Sequence, residues 1–76
     1  MSNRHARSVF NYDLFRYDVE RYRERWELSQ RTMCAAADIS PSAYMRFRGG
    51  GGTLGLYAVC QLAMLCDLSI DDYVTS

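Results

Sequence analysis

The chain's single proline and its run of four glycines bracket one short segment and decide what it can be. Proline has no backbone N–H and clashes with the preceding turn, so a helix accepts it readily only at its first position. Pro41 follows Ser40, a residue type whose side chain caps helix starts. Gly49-Gly50-Gly51-Gly52 then stop any helix, because glycine loses the most backbone freedom on ordering. The spacing predicts a helix from Pro41 to about Arg48. A chain punctuated this densely is assembled from short helices with short connections.

The flanking segments fit that expectation. Tyr12, Phe15, Val19, Tyr22 and Trp26 recur at steps of three and four, which marks one face of a first helix, with Asn11 or Asp13 at its start. Its polar face, Arg16, Glu20, Arg21, Arg23, Glu24, Arg25 and Glu27, reads as solvated and laced by opposite charges. Ser29 opens a second helix through Met33, Cys34, Ala36 and Ala37, whose small side chains require a close neighbour. A break falls at Asp38-Ile39. After the glycines, Thr53 is placed to cap a fourth helix carrying Leu56, Val59, Leu62, Ala63 and Leu65 inward. Ser69-x-x-Asp72 resembles a capping box opening a last turn. The expected fold is all-α, about five helices without strands. Its expected core is Phe15, Val19, Tyr22, Met33, Ala37, Ile39, Tyr44, Phe47, Leu56, Val59, Leu62, Leu65, Leu68 and Ile70.

With 76 residues there is room for one domain, here residues 11–76, preceded by a flexible arm over residues 1–10. No apolar run approaches the roughly 20 residues that span a bilayer, and the N-terminus lacks an apolar signal core, so the expectation is a cytoplasmic protein without membrane association. Cys34, Cys60 and Cys66 lack CxxC spacing and read as free thiols in apolar surroundings, which suits a reducing compartment. His5 is the only histidine, which argues against zinc. No nucleophile–base pair, metal cluster or phosphate-loop motif is present, so the chain does not read as an enzyme and calls for no cofactor, metal or small-molecule substrate.

Nine cations balance nine anions, and every cation is arginine. Residues 1–50 carry nine Arg against six acids, or +3; residues 51–76 carry only Asp67, Asp71 and Asp72, or −3. The first two-thirds of the chain is therefore where an anionic partner would dock, since arginine's planar fork suits phosphate and guanine.

Two short helices joined by a tight turn form a helix-turn-helix candidate. Leu28-Ser29-Gln30, Met33, Ala36-Ala37, Ile39-Ser40-Pro41-Ser42, Arg46-Phe47, Leu56, Leu62-Ala63, Leu65 and Leu68-Ser69-Ile70-Asp71-Asp72-Tyr73 occur in one ordered set. In this the chain resembles the Cro and phage-repressor (Xre-type) helix-turn-helix family over roughly residues 13–74. The resemblance implies a compact five-helix lambda-repressor-like domain that binds operator DNA as a homodimer, typical of a phage or mobile-element transcriptional repressor in a bacterial cytoplasm. It places Gln30 at a phosphate, and Arg31 stands beside it. Helical spacing puts Ser42, Met45 and Arg46 opposite Tyr44 and Phe47, with Ala43 at the flank. Such a face enters a major groove about 12 Å wide, Arg46 donating twice to a guanine and Ser40, Ser42 and Ala43 approaching base edges. Arg48 is placed for a phosphate or an ion pair. The glycine run and Thr53 are placed to cradle a second phosphate with backbone N–H groups. Arg4 and Arg7 are placed to reach DNA from the arm. Tyr57, Met64, Tyr73 and Val74 are candidates for a dimer contact.

The chain departs from the family pattern in two ways. Glu27, Asp38 and Asp67 stand where the family commonly has glycine in left-handed turns, and four glycines stand where it commonly has polar residues and a proline. These departures and the neutral total motivate the alternative of a protein-interaction module, of anti-repressor or antitoxin type, that keeps the fold without binding operator DNA.

Overall fold

A computed structural model describes residues 9–75. The elements run β1 (Val9–Phe10), α1 (Tyr12–Arg25), α2 (Gln30–Ala37), α3 (Pro41–Arg48), α4 (Leu56–Leu65), a 3-10 turn (Ile70–Tyr73) and β2 (Val74–Thr75). The domain is mostly helical, with four α-helices rather than five; the last expected helix is the single 3-10 turn. The described ends of the chain also depart from the strand-free expectation. Val9 and Phe10 pair antiparallel with Thr75 and Val74, so the last two residues of the anticipated arm belong to the folded body. Residues 1–8, with Arg4 and Arg7, lie outside the described residues.

Local chemistry starts three of the four helices as anticipated. The side chains of Asn11, Ser29 and Ser40 accept from the backbone N–H of Leu14, Thr32 and Ala43, each an N-cap bond that satisfies an otherwise orphaned donor. Two assignments fail. Thr53 does not cap α4; Gly55 occupies that position without a side-chain bond. Ser69 precedes the 3-10 turn and likewise makes no side-chain cap bond.

All four helices end alike. Glu27, Asp38, Gly50 and Asp67 are left-handed, at φ of 55, 57, 79 and 57°. In every case the left-handed residue and its successor donate back to the final turn, as in Leu28 N–H to Arg23 O, Ile39 to Cys34, Gly51 to Arg46 and Leu68 to Ala63. This is the Schellman closure, which satisfies the last carbonyls and turns the chain sharply. At three of the ends the successor is Leu28, Ile39 or Leu68, half-buried against the core, and the next residue is a serine that leads into the following element.

Phe15 and Val19 from α1, Met33 and Ala37 from α2, Tyr44 and Phe47 from α3, and Val59 and Leu62 from α4 form the buried centre. Phe10, Phe15, Tyr73 and Phe47 stack around it with centroid separations of 5.2–5.9 Å. Leu56, expected inside, is 78% exposed, and Leu54 from the preceding loop is buried instead. The first turn of α4 stands uncovered, while Leu54 is held where its carbonyl accepts from the Tyr12 hydroxyl at 3.1 Å. Trp26 is also exposed, because α1 stops at Arg25 and the turn at Glu27 sends Leu28 inward in its place. Among the described residues no helix is long and apolar enough to cross a membrane.

Candidate nucleic-acid interface

The three-residue turn Asp38-Ile39-Ser40 joins the two eight-residue helices α2 and α3. What fixes α3 in place is α1. Phe47 and Tyr44 pack inward, and the Tyr44 hydroxyl donates to the Glu20 carboxylate. The same carboxylate accepts from Arg23 at 2.9 Å and from Arg48 Nε at 3.0 Å. Arg16 Nε donates to the Phe47 carbonyl at 2.7 Å while its Nη1 reaches Asp13 at 2.9 Å. Arg16, Glu20 and Arg23, expected on a solvated face, are half-buried and clamp the back of α3.

The electrostatics follow from this packing. Burial pushes the Glu20 carboxyl up, but hydrogen bonds from Arg23, Tyr44 and Arg48 outweigh it and hold the group below its ordinary value. Its hydrogen bond raises Arg23 further. Burial and then the Glu20 contact push the Tyr44 phenol well above its usual range, so it stays a donor. Sequence reasoning missed Glu20 and Arg16 as supports of this surface. The available signal was Glu20 with arginine three residues on, one face removed from the apolar stripe.

The opposite face of α3 is open. Ser40, Ser42, Met45 and Arg46 are exposed, and Ala43 is half-buried against the core, leaving its methyl only partly presented. The Ser40 hydroxyl oxygen already accepts from Ala43 N–H at 3.1 Å. Ser42 and Arg46 are one helical turn apart on a single stripe. Gln30 is half-buried and Arg31 exposed at the start of α2. Neither α2 nor α3 has an acid in its first turn, so the positive ends of both helix dipoles stay uncompensated. Among the described residues Arg31 and Arg46 have no ion pair, whereas Arg16, Arg23 and Arg48 are engaged.

The groups expected at two phosphates have other partners in this structure. Arg48 takes the ion-pair alternative, with Glu20. The N–H groups of Gly49, Gly50 and Gly51 donate to Met45, Phe47 and Arg46 carbonyls at 3.0–3.1 Å, so they close the helix and are not available to cradle an anion. Thr53 is exposed in the loop, two residues before the cap of α4 and outside that helix's first turn. Of the candidate dimer residues, Tyr57, Met64 and Val74 are exposed, but Tyr73 is buried with its hydroxyl donating to Asp18 at 2.6 Å. Among the described residues, no three His, Cys, Asp or Glu side chains converge to hold a metal ion. The three cysteines are free, two buried and Cys60 half-buried.

No protein-family model, curated protein or solved structure matches this chain.

Proposed function

We propose that the chain is a Cro-like helix-turn-helix transcriptional regulator that binds operator DNA as a homodimer, with α3 in the major groove. Arg46 is the observation that carries the reading. Among the described residues it has no ion pair on the open face of α3, while Arg48, the other arginine of that helix, is paired with Glu20 of α1. An unpaired guanidinium beside Ser42 presents a fork of donors suited to guanine N7 and O6. Gln30 and Arg31 at the uncompensated start of α2 supply phosphate contacts that set orientation. A single such face makes few phosphate contacts, so function requires a two-fold pair reading half-sites about one helical turn apart.

Selection of bound DNA from a random pool tests the reading. An enriched palindrome that relaxes at one position in Arg46→Ala supports it; no enrichment at low salt from folded protein sinks it. The commitment of Arg48 to Glu20 and of the glycine amides to α3 favours, as the second reading, an interaction module of anti-repressor or antitoxin type. That reading expects a protein partner and no sequence enrichment.

A further inference from the structure

The helix α4 is apolar on both of its faces. None of its ten residues, Leu56–Leu65, is charged. Val59, Leu62 and Ala63 pack inward, whereas Leu56, Tyr57 and Met64 are 78, 60 and 71% exposed and Cys60 is half-buried among them. A helix that is apolar all round is ordinarily covered all round. We propose that a second copy of this chain covers the outer face of α4, the two helices crossing antiparallel about a two-fold axis at Cys60. The inference gives the proposed homodimer its contact surface, and its biological role rests on that reading.

Four observations select this occupant. First, Leu56, Cys60 and Met64 form one row of every fourth residue, symmetrical about its middle member. A two-fold operation at Cys60 therefore sets Leu56 of each copy on the partner's Met64, twice over. The small central residue lets two such rows approach closely, at the crossing angle that rows of this spacing favour. Second, an apolar groove of about 220 Å³ opens beside Leu56, walled by Phe10, Tyr12, Leu54 and Ile70. The partner's Met64 arrives at its rim, and an unbranched thioether side chain adapts to such a gap. Third, Tyr57 is exposed but held, because its hydroxyl donates to Asp38 at 2.8 Å. Its ring stands beside the row already ordered, so docking against it costs little further entropy. Fourth, residues 49–76 contain no cation and three acids, which disfavours DNA or an anionic lipid surface on this face. The row has no charge to repel its own copy. α4 also starts with neither an acid in its first turn nor a side-chain cap, and Asp67 lies just past its end. An antiparallel partner brings its Asp67 toward that positive helix end. A standard interface has about 20–30 residues a side, so this smaller contact makes a dimer that dissociates on dilution.

Sedimentation of the full chain without DNA, from micromolar to millimolar concentration, reads the pair directly. The expected result is a monomer–dimer equilibrium in which a short bis-maleimide joins Cys60 to Cys60, while the buried Cys34 and Cys66 stay unlinked. Cys60→Ser removes the cross-link. Leu56→Glu/Met64→Glu sets like charges against each other and is expected to weaken the dimer by about a hundredfold or more. Leu56→Glu/Met64→Arg sets opposite charges against each other in the antiparallel register and is expected to recover about tenfold of that loss. Both positions are exposed, and circular dichroism checks that the variants fold. A monomer at every concentration, a dimer that Cys60 does not cross-link, or an undiminished dimer in the folded Glu/Glu variant overturns the proposal. Equal dimers from the two charge variants overturn it as well. Shielding of Cys60 from a monofunctional maleimide only on addition of duplex DNA, or of phosphatidylglycerol vesicles, also overturns it and assigns the face to that occupant. None of these readouts involves Arg46, so the DNA selection succeeds or fails independently of them.

Discussion

Arg48 Nε donates to Glu20 Oε1 at 3.0 Å, tying the last turn of α3 to the middle of α1 across 28 residues of sequence. Because Tyr44 and Arg23 share the same carboxylate, Glu20 is the joint on which the exposed face of α3 is aimed. Removing it orphans the buried Tyr44 hydroxyl and takes away the carboxylate partner of two arginines, of which Arg23 keeps the Leu28 carbonyl at 2.9 Å. Glu20→Ala is expected to cost about 2–4 kcal/mol in urea unfolding. Tyr44→Phe, which keeps the ring and both arginine contacts, is expected to cost about 1 kcal/mol. Arg48→Ala loses a half-exposed pair and is expected to cost no more than about 1 kcal/mol.

The same carboxylate sets an acid limit. Its folded pKa lies below the ordinary value of 4.5, so the unfolded chain takes up the proton first as pH falls. Its contribution is complete above about pH 4.5 and is lost below it, as pH drops through the folded value. Thermal unfolding across pH 3–6 is expected to show a shallower decline in Glu20→Gln than in the parent, from a lower starting stability.

At high pH the sign reverses. Burial pushes the Cys66 thiol from 9.0 up to about 11, and burial with the Asp18 contact raises Tyr73 well above its usual range. Tyr44 is raised in the same sense. Groups held neutral by the fold stabilise it fully below their unfolded pKa and stop doing so as pH climbs through the folded one. Burial raises the Cys34 thiol in the same sense, so stability should fall from about pH 9 upward, the first part of the loss belonging to the two buried cysteines. Cys66→Ala is expected to make the decline shallower from about pH 9, while the steeper loss from Tyr44 and Tyr73 sets in from about pH 10 in both proteins.

The helix ends give a fourth prediction, because their backbone sign is unusual for the residues present. Glu27 at φ 55° carries the left-handed penalty with no side-chain hydrogen bond to offset it. Glu27→Gly is expected to stabilise by about 0.5–1 kcal/mol, the penalty less glycine's own entropy cost. Asp38→Gly gains less, since the Asp38 carboxylate accepts from Tyr57 at 2.8 Å, and Tyr57→Phe should bring the two gains closer. Gly50→Ala at φ 79° is expected to cost about 1 kcal/mol, whereas an added Cβ at Gly52 meets only Arg46 Cβ at 3.9 Å and should be tolerated. Chemical denaturation of the set separates these cases.

Those turns also show what was legible in the sequence. Glu-Leu-Ser, Asp-Ile-Ser and Asp-Leu-Ser recur at residues 27–29, 38–40 and 67–69, each a left-handed acid, a half-buried aliphatic residue and a serine leading into the next element. The signal is local, as is the Ser40-Pro41 start, and local signals place α2 and α3 to the residue. The α4 stripe was legible too, but not where it loses its cover, so Leu56 was assigned the place that Leu54 fills. Glu20 was illegible for a different reason. Periodicity tells which face of α1 is apolar, but not that a carboxylate at its edge meets groups 24 and 28 residues away. The pairing of Phe10 with Val74 is similarly non-local, and two-residue strands leave no alternation to detect.

The division among the arginines gives the last prediction, which separates base reading from phosphate attraction on α2 and α3. If Arg46 reads a guanine, Arg46→Ala costs about 1–3 kcal/mol on the selected site and little on random DNA, and Arg46→Lys does not restore the preference because an ammonium lacks the fork. Arg31, exposed and without an ion pair among the described residues, is proposed to meet phosphate alone, so Arg31→Ala should weaken all sequences alike and reduce the slope of log affinity against log salt by about 1. Arg48 is already paired with Glu20, which it shares with Arg23, so Arg48→Ala should change that slope by less. A slope change at Arg48 matching that at Arg31 would mean that the Glu20 contact opens on DNA, and α3 would then be aimed by the phosphate rather than by α1.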